Sequence, residues 1–224
     1  MYEVLDDTAA QVILAIESGD SIRSVAQHLH TPYETVRQAV NRLEAAGYIQ
    51  YDDGLSVTDE DVRETALNLV ATSAGVSPPS IEEAYVLPQF SDWPFGFTRI
   101  DAVYVWTQGG YQVGRSPEDY PLFMAVREQD TDAWERFFDS FDLPTAFERQ
   151  PQAELDGSLQ IVLEPRSSLN ITQVEGYMVI PRAETIEYMR ENSAQFQSAL
   201  AMVDRMYEDL DLGVTYRETE RAQS

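Results

Sequence analysis

The chain is 224 residues long, carries 39 acidic against 15 basic residues for a formal net charge of -24, and contains no cysteine. All 15 basic residues are arginine, since no lysine occurs anywhere. These absences exclude disulfides and thiolate metal sites, and with them a Walker lysine, a pyridoxal Schiff base and a kinase lysine.

The N-terminus, MYEVLDDTAA, has neither the basic nor the apolar region of a signal peptide, and no apolar run is long enough to span a bilayer. A soluble, cytoplasmic protein without membrane contacts is expected. In SIRSVAQHLH the apolar residues Ile22, Val25, Ala26 and Leu29 recur at i, i+3, i+4 and i+7, one face of a short helix with Ser21 as its N-cap. Thr31-Pro32-Tyr33-Glu34 then reads as an N-cap, a first-turn proline and a capping-box glutamate. The second helix buries Val36, Ala39, Val40 and Leu43 and closes at Gly47. Two short β-prone runs around Asp52-Asp53-Gly54 predict a hairpin.

The polar face of the second helix carries Tyr33, Arg37, Gln38, Asn41 and Arg42. Arginine pairs with guanine O6 and N7, Gln and Asn pair with adenine N6 and N7, and Tyr meets a phosphate or a thymine methyl. The first helical turn points at bases, so Tyr33, Arg37 and Gln38 lead the candidates, with Asn41 and Arg42 nearer the phosphates and Arg23 and Thr31 completing the DNA-binding set. From Ser21 to Arg42 three arginines face one glutamate, a markedly positive stretch in an acidic chain.

The stretch TPYETVRQAVNRLEAAGYIQYDDGLSVT resembles the recognition helix and wing of winged helix-turn-helix transcriptional regulators, with a Leu-Glu pair, a small pair, a glycine and an apolar strand in order. The resemblance covers residues 6–71, under a third of the chain. It implies binding to double-stranded DNA. The acidic Asp52-Asp53-Gly54 tip departs from the basic wing tips common in the family, which puts wing contacts in question. Lysine absence with acidic excess is similar to the cytoplasmic proteins of extreme halophiles, including halophilic archaea, where carboxylates hold water at molar salt. At about 1 M salt the Debye length is roughly 3 Å, so distant repulsion from phosphate is screened. Counterion release weakens equally, leaving short-range hydrogen bonds and packing to carry binding.

A further helix over 59–71, capped by Thr58 with Asp61, leads to a polar linker. The expected organisation is a winged-helix domain over 1–74, a linker over 75–80, an α+β domain over 81–212 and a polar tail over 213–224. In the α+β domain, runs rich in Val, Ile, Tyr and Phe predict strands at 84–87, 102–106, 111–114, 122–127, 159–163 and 177–180, in a mixed or antiparallel sheet. Gln108-Gly109-Gly110 reads as a hairpin turn. Thr131 is placed as the cap of a helix carrying Trp134, Phe137, Phe138 and Phe141, and a long C-terminal helix is expected over 181–210.

Both histidines, His28 and His30, fall in the helix-turn-helix and read as surface or turn residues, so the second domain has none for a catalytic triad or an imidazole metal site. Carboxylate chemistry with Mg2+ or a glycosidase-like acid pair stays open in principle, but solvated surface accounts better for 39 dispersed acids. No enzyme, cofactor or metal is expected. Val103 to Gly110 followed by Ser116 to Phe123 weakly resembles nucleotidyltransferase strands, without the family's Gly-Ser pair and spaced aspartates. The overall order also resembles AbiEi-type antitoxins, winged helix then α+β domain, which implies an autorepressor beside a toxin as one alternative. A winged-helix protein-interaction adaptor is another.

Aromatic density suggests an effector pocket of Trp93, Phe95, Arg99, Trp106, Tyr111 and Arg115, with Trp93-Pro94-Phe95-Gly96-Phe97 as an irregular rim. Strand alternation explains most of these aromatics as core. Ile186, Met189, Ser193, Phe196, Leu200, Val203, Tyr207 and Leu210 repeat at steps of three and four, which suits either a helix pairing two subunits or one lying on its own sheet. Ser193 interrupts the seam and Asn192-Ser193 can break the helix. A homodimer is expected because one recognition helix reads too few base pairs for useful specificity. The sequence thus points to a dimeric DNA-binding regulator whose second domain takes a small-molecule effector or a protein partner.

Overall fold

A computed structural model describes residues 5–75, 78–111, 115–116, 118–148 and 159–214, in a mixed α+β fold. The chain begins with helices α1 (Asp7–Ala15), α2 (Ile22–His28) and α3 (Tyr33–Ala45), continues through strands β1 (Ile49–Tyr51) and β2 (Leu55–Val57), and enters α4 (Glu60–Ala74). Asp6 caps α1 by accepting from Ala9 N at 2.8 Å, and Ser21 caps α2 by accepting from Ser24 N at 3.1 Å. Arg63 on α4 donates to the carbonyls of Leu14 at 3.1 Å and Ile16 at 2.6 Å, satisfying the last turn of α1. α1 packs on α3 and α4, α2 on α3, and α3 on β1.

The expected apolar stripes are buried: Ile22, Val25 and Ala26 in α2, with Leu29 just after it, and Val36, Ala39, Val40 and Leu43 in α3. The 52–54 hairpin is present, with Tyr51 opposite Leu55. Asp20 adds a bridge to Leu55, and Gly54 is pressed so closely on Gly19 that a Cβ there would lie 2.5 Å from its carbonyl oxygen. The capping differs from expectation. Pro32 stands at the N-cap position of α3 and supplies no side-chain cap, Thr31 Oγ1 donates to Leu29 O, and Glu34 turns outward to Arg37. Asp59, in place of Thr58, caps α4, which runs three residues beyond the expected end at 71. Thr58 Oγ1 hydrogen-bonds the Gly47 and Tyr48 carbonyls instead.

The rest of the chain forms α5 (Ile81–Val86), a 3-10 turn (Leu87–Phe90), β3 (Phe95–Phe97), α6 (Arg99–Trp106), β4 (Tyr120–Arg127), α7 (Thr131–Asp139), β5 (Thr145–Ala146), β6 (Leu159–Arg166), β7 (Thr172–Val174), β8 (Tyr177–Val179), α8 (Arg182–Glu191) and α9 (Ser193–Met206). Among the described residues six strands make one mixed sheet in the order β5-β6-β4-β3-β8-β7. β4 and β6 run parallel in full register from Tyr120 opposite Leu159 to Arg127 opposite Arg166, and β3 lies antiparallel to β4 and parallel to β8.

Several sequence expectations change here. The runs at 84–87 and 102–106 are helical, within α5 and α6 and the 3-10 turn that follows α5. In α6, Ile100, Asp101, Ala102, Val103, Val105 and Trp106 are all buried, so burial on nearly every side removes the 3.6-residue periodicity that marks a surface helix. Gln108-Gly109-Gly110 therefore ends a helix, with Gly109 N donating to Tyr104 O, and joins no hairpin. Tyr111 lies outside any strand, and 112–114 lie outside the described residues. Phe95 to Phe97, expected as a loop, is the buried strand β3. Thr131 is the first residue of α7 after Asp130, and its hydroxyl donates back to Glu128 O at 2.8 Å.

The expected long C-terminal helix breaks at Asn192 (φ -112, ψ 35) into α8 and α9, which pack on each other. Phe196 and Tyr188 meet across the break with ring centroids 5.3 Å apart. Ile186, Met189, Phe196, Leu200 and Val203 are buried within the chain, so the stripe serves its own core. Of the expected polar tail, 215–224 lie outside the described residues.

Buried apolar residues from Ala9 to Val203 form one connected cluster across both parts. Gln89 Nε2 donates to His28 O at 3.0 Å, and Gln173 Nε2 lies 2.6 Å from His28 Nε2. His30 stacks on Tyr177. The end of α2 is thus held against the β7–β8 hairpin and the 3-10 turn.

Candidate functional site

The polar face of α3 is open to solvent. Tyr33 is 48 % exposed, and Gln38, Asn41 and Arg42 are exposed, with Arg37 half-buried. Gln38, Asn41 and Arg42 share a shallow surface groove with Asp6, Thr8 and Thr35. Arg23 is exposed at the start of α2 and makes no ion pair among the described residues, while Thr31 is spent on its own turn.

Two of the arginines are already partnered. Arg37 grips Glu34 in a bidentate pair, Nε to Oε2 at 2.8 Å and Nη2 to Oε1 at 2.6 Å, and Gln38 Nε2 adds a bond to the same carboxylate at 3.2 Å. The Arg37 and Gln38 bonds lower the Glu34 pKa to about 2. Arg42 reaches the α1 cap, with Nη1 donating to Asp6 Oδ2 at 3.0 Å. The positive stretch read from the sequence is therefore largely neutralised locally. Exposed pairs of this kind are weak and salt-screened, so an incoming acceptor can replace the carboxylate.

The six residues expected to form an effector pocket are dispersed. Trp93 and Phe95 pack edge-on to Trp134, with centroids 5.8 and 5.6 Å away. Arg99 pairs with Glu164 at 3.0 Å, Trp106 Nε1 donates to Ile180 O at 3.0 Å, and the Tyr111 hydroxyl donates to Gln195 O. Arg115 is buried on Asp101. They are core and ion-pair residues, and none of them lines the main cavity.

That cavity, about 610 Å³, lies between the N-terminal helices and the α+β part. Tyr85, Tyr104, Tyr120 and Tyr177 line it, with Leu29, His30 and Thr31 from the α2–α3 turn. Behind Tyr85 and Tyr120 stands a buried charge pair. Asp101, 0 % exposed, accepts from the Tyr85 hydroxyl and from Arg115 Nη1 at 2.7 Å through Oδ1, and from Phe123 N at 2.7 Å through Oδ2. Arg115, 5 % exposed, lies over the Tyr120 ring at 4.7 Å. Burial and then the Asp101 charge push the Tyr85 pKa far up, while burial opposes the Arg115 charge and Asp101 more than offsets it. The sequence signal for this network was Asp101 inside an apolar run, because a buried carboxylate must be paired. Its partner is fourteen residues away.

Among the described residues no group of three or more His, Asp and Glu is placed to hold a metal ion, and no helix is long and apolar enough to cross a membrane. No protein-family model, curated protein or solved structure matches the chain.

Proposed function

We propose that residues 5–75 act as a winged helix that reads double-stranded DNA through α3, and that the chain is a non-enzymatic, cytoplasmic transcriptional regulator adapted to high salt. The observation that carries this reading is the division of α3 into a buried face, Val36, Ala39, Val40 and Leu43, and a solvent face of Tyr33, Arg37, Gln38, Asn41 and Arg42, followed directly by the β1–β2 hairpin. A helix entering the major groove needs both, one face to fix it and one to read. Dimerisation on paired half-sites remains part of the proposal, through a surface other than the C-terminal stripe. A protein-docking adaptor is the rival favoured by one observation, the neutralisation of Arg37 by Glu34 and of Arg42 by Asp6.

The test is selection of bound duplexes from a random pool at molar KCl, with the wild type and the Arg37→Ala/Gln38→Ala variant. Enrichment of an inverted repeat by the wild type alone supports a dimeric operator-binding regulator. No enrichment by the wild type sinks it in favour of the adaptor.

A further inference from the structure

The interdomain cavity has the size of a small-molecule site, about 610 Å³. Its wall is aromatic: Tyr85, Tyr104, Tyr120, Tyr177, Phe90 and Phe141. Tyr104, Tyr120 and Tyr177 surround Tyr85 with ring centroids 5.4, 6.5 and 5.8 Å from it. The charged residues lining it are of one sign, Asp7, Glu82 and Glu83, and among the described residues no arginine is on the lining. An anionic ligand would find no counter-charge here.

The hydrogen-bond inventory narrows the ligand further. Tyr85 gives its single proton to Asp101, so its oxygen accepts from Arg115 Nη1 at 3.0 Å and from the Tyr120 hydroxyl at 3.1 Å. Tyr120 thereby keeps a free acceptor oxygen. The Tyr104 and Tyr177 hydroxyls make no hydrogen bond among the described residues. Glu83 is committed to the capping box of α5, accepting from Ser80 N at 2.7 Å, whereas Glu82 is exposed beside it and close enough to Tyr104 to act on its pKa. The site therefore offers π faces, phenol acceptors and, at its mouth, the Glu82 carboxylate, which makes no hydrogen bond among the described residues, with Asp7, held only by Ser73 Oγ at 3.4 Å, on the same lining. A protonated amine on an aromatic body satisfies all three, through cation–π contact, N–H donation and burial of the ring.

We propose that this cavity binds a small aromatic amine as its cation, held against the Tyr104 ring and beside the stacked His30–Tyr177 pair and charge-paired by Glu82. Leu29, His30 and Thr31 come from the helix-turn-helix and the tyrosines from the α+β part, so one ligand touches both. The inference goes beyond the DNA-binding reading and does not depend on it.

The experiment is calorimetric titration of the full chain, without DNA and in KCl that keeps it folded, with 2-phenylethylammonium and with neutral 2-phenylethanol. The ammonium should bind about tenfold tighter than the alcohol. Glu82→Gln, an exposed change, should narrow that difference by about two- to threefold in KCl, where screening weakens the pair, without moving the alcohol's affinity. Tyr104→Leu should weaken both. Equal affinity for amine and alcohol, no ammonium binding up to its solubility limit, or an ammonium isotherm indifferent to Glu82→Gln would each overturn the proposal.

Discussion

The imidazole of His30 lies flat on the phenol ring of Tyr177, with centroids 4.0 Å apart and planes 21° from parallel. The contact joins the turn between α2 and α3 to the β7–β8 hairpin, so a side chain of that turn is also a fastening to the rest of the protein. Its surroundings lower the His30 pKa, by burial first and by the neighbouring His28 second, with Glu175 opposing.

A lowered histidine pKa gives docking an acid limit. Below the unfolded value of 6.5 the unfolded chain binds a proton that folded His30 resists, so stability is complete above that pH and falls as pH drops towards the folded pKa. Between pH 6.5 and 5 the thermal midpoint should fall more steeply for the wild type than for His30→Asn. Asn is the apt replacement because residue 30 has φ +49. Parallel slopes would remove His30 from the acid response.

Gly176 is a second fastening. Its φ is +89, and a Cβ there would lie 2.5 Å from the Gln27 carbonyl oxygen, a backbone atom that cannot swing aside. Gly47 has a similar φ of +79 with open space around it. Gly47→Ala should cost about 1 kcal/mol for the left-handed backbone alone. Gly176→Ala should cost about 1–3 kcal/mol more for forced displacement of α2. Denaturant unfolding of the two variants measures the difference, and equal losses would mean the junction yields freely.

The Asp101–Arg115 pair is buried on both sides. Arg115→Met strands a carboxylate in the interior and should cost about 3–5 kcal/mol. Adding Asp101→Asn should recover part of that loss, because no net charge is left and the amide oxygen still accepts from Phe123 N. Additive losses in equilibrium unfolding would contradict a coupled pair.

On the proposed DNA face, Glu34 and Arg37 predict opposite effects. Glu34→Ala releases Arg37 and Gln38 together and should raise duplex affinity, steepening the slope of log affinity against log salt by about one if Arg37 then meets a phosphate. Arg37→Ala should lower affinity. Fluorescence anisotropy over a KCl series reads both, and loss of affinity in Glu34→Ala would show that the carboxylate itself is needed for recognition.

What could be read from residue order was local. Ile22, Val25, Ala26 and Leu29, then Val36, Ala39, Val40 and Leu43, mark two helices because a 3.6-residue repeat survives wherever one face meets water. Asp52-Asp53-Gly54 marks a turn for an equally local reason. The strands at Leu122 to Arg127 and Leu159 to Leu163 were legible because continuous Val, Ile, Leu and Phe suits a strand buried on both faces. The same composition misled at Val103-Tyr104-Val105, since a helix buried nearly all round shows no periodicity and its β-branched residues then decide the assignment.

Tertiary structure decided everything that depends on residues far apart in the chain. The fate of Arg37 lies three residues away, but that of Arg42 lies at Asp6, and Arg115 turns inward to Asp101 when composition alone would leave it free for an anion. The cavity draws on positions from Asp7 to Tyr177, and the tyrosines on its wall are scattered among α5, α6, β4 and β8. Periodicity reports which side of an element is buried. What buries it, and which polar atoms remain unpaired afterwards, is set by packing between elements, and residue order does not contain it.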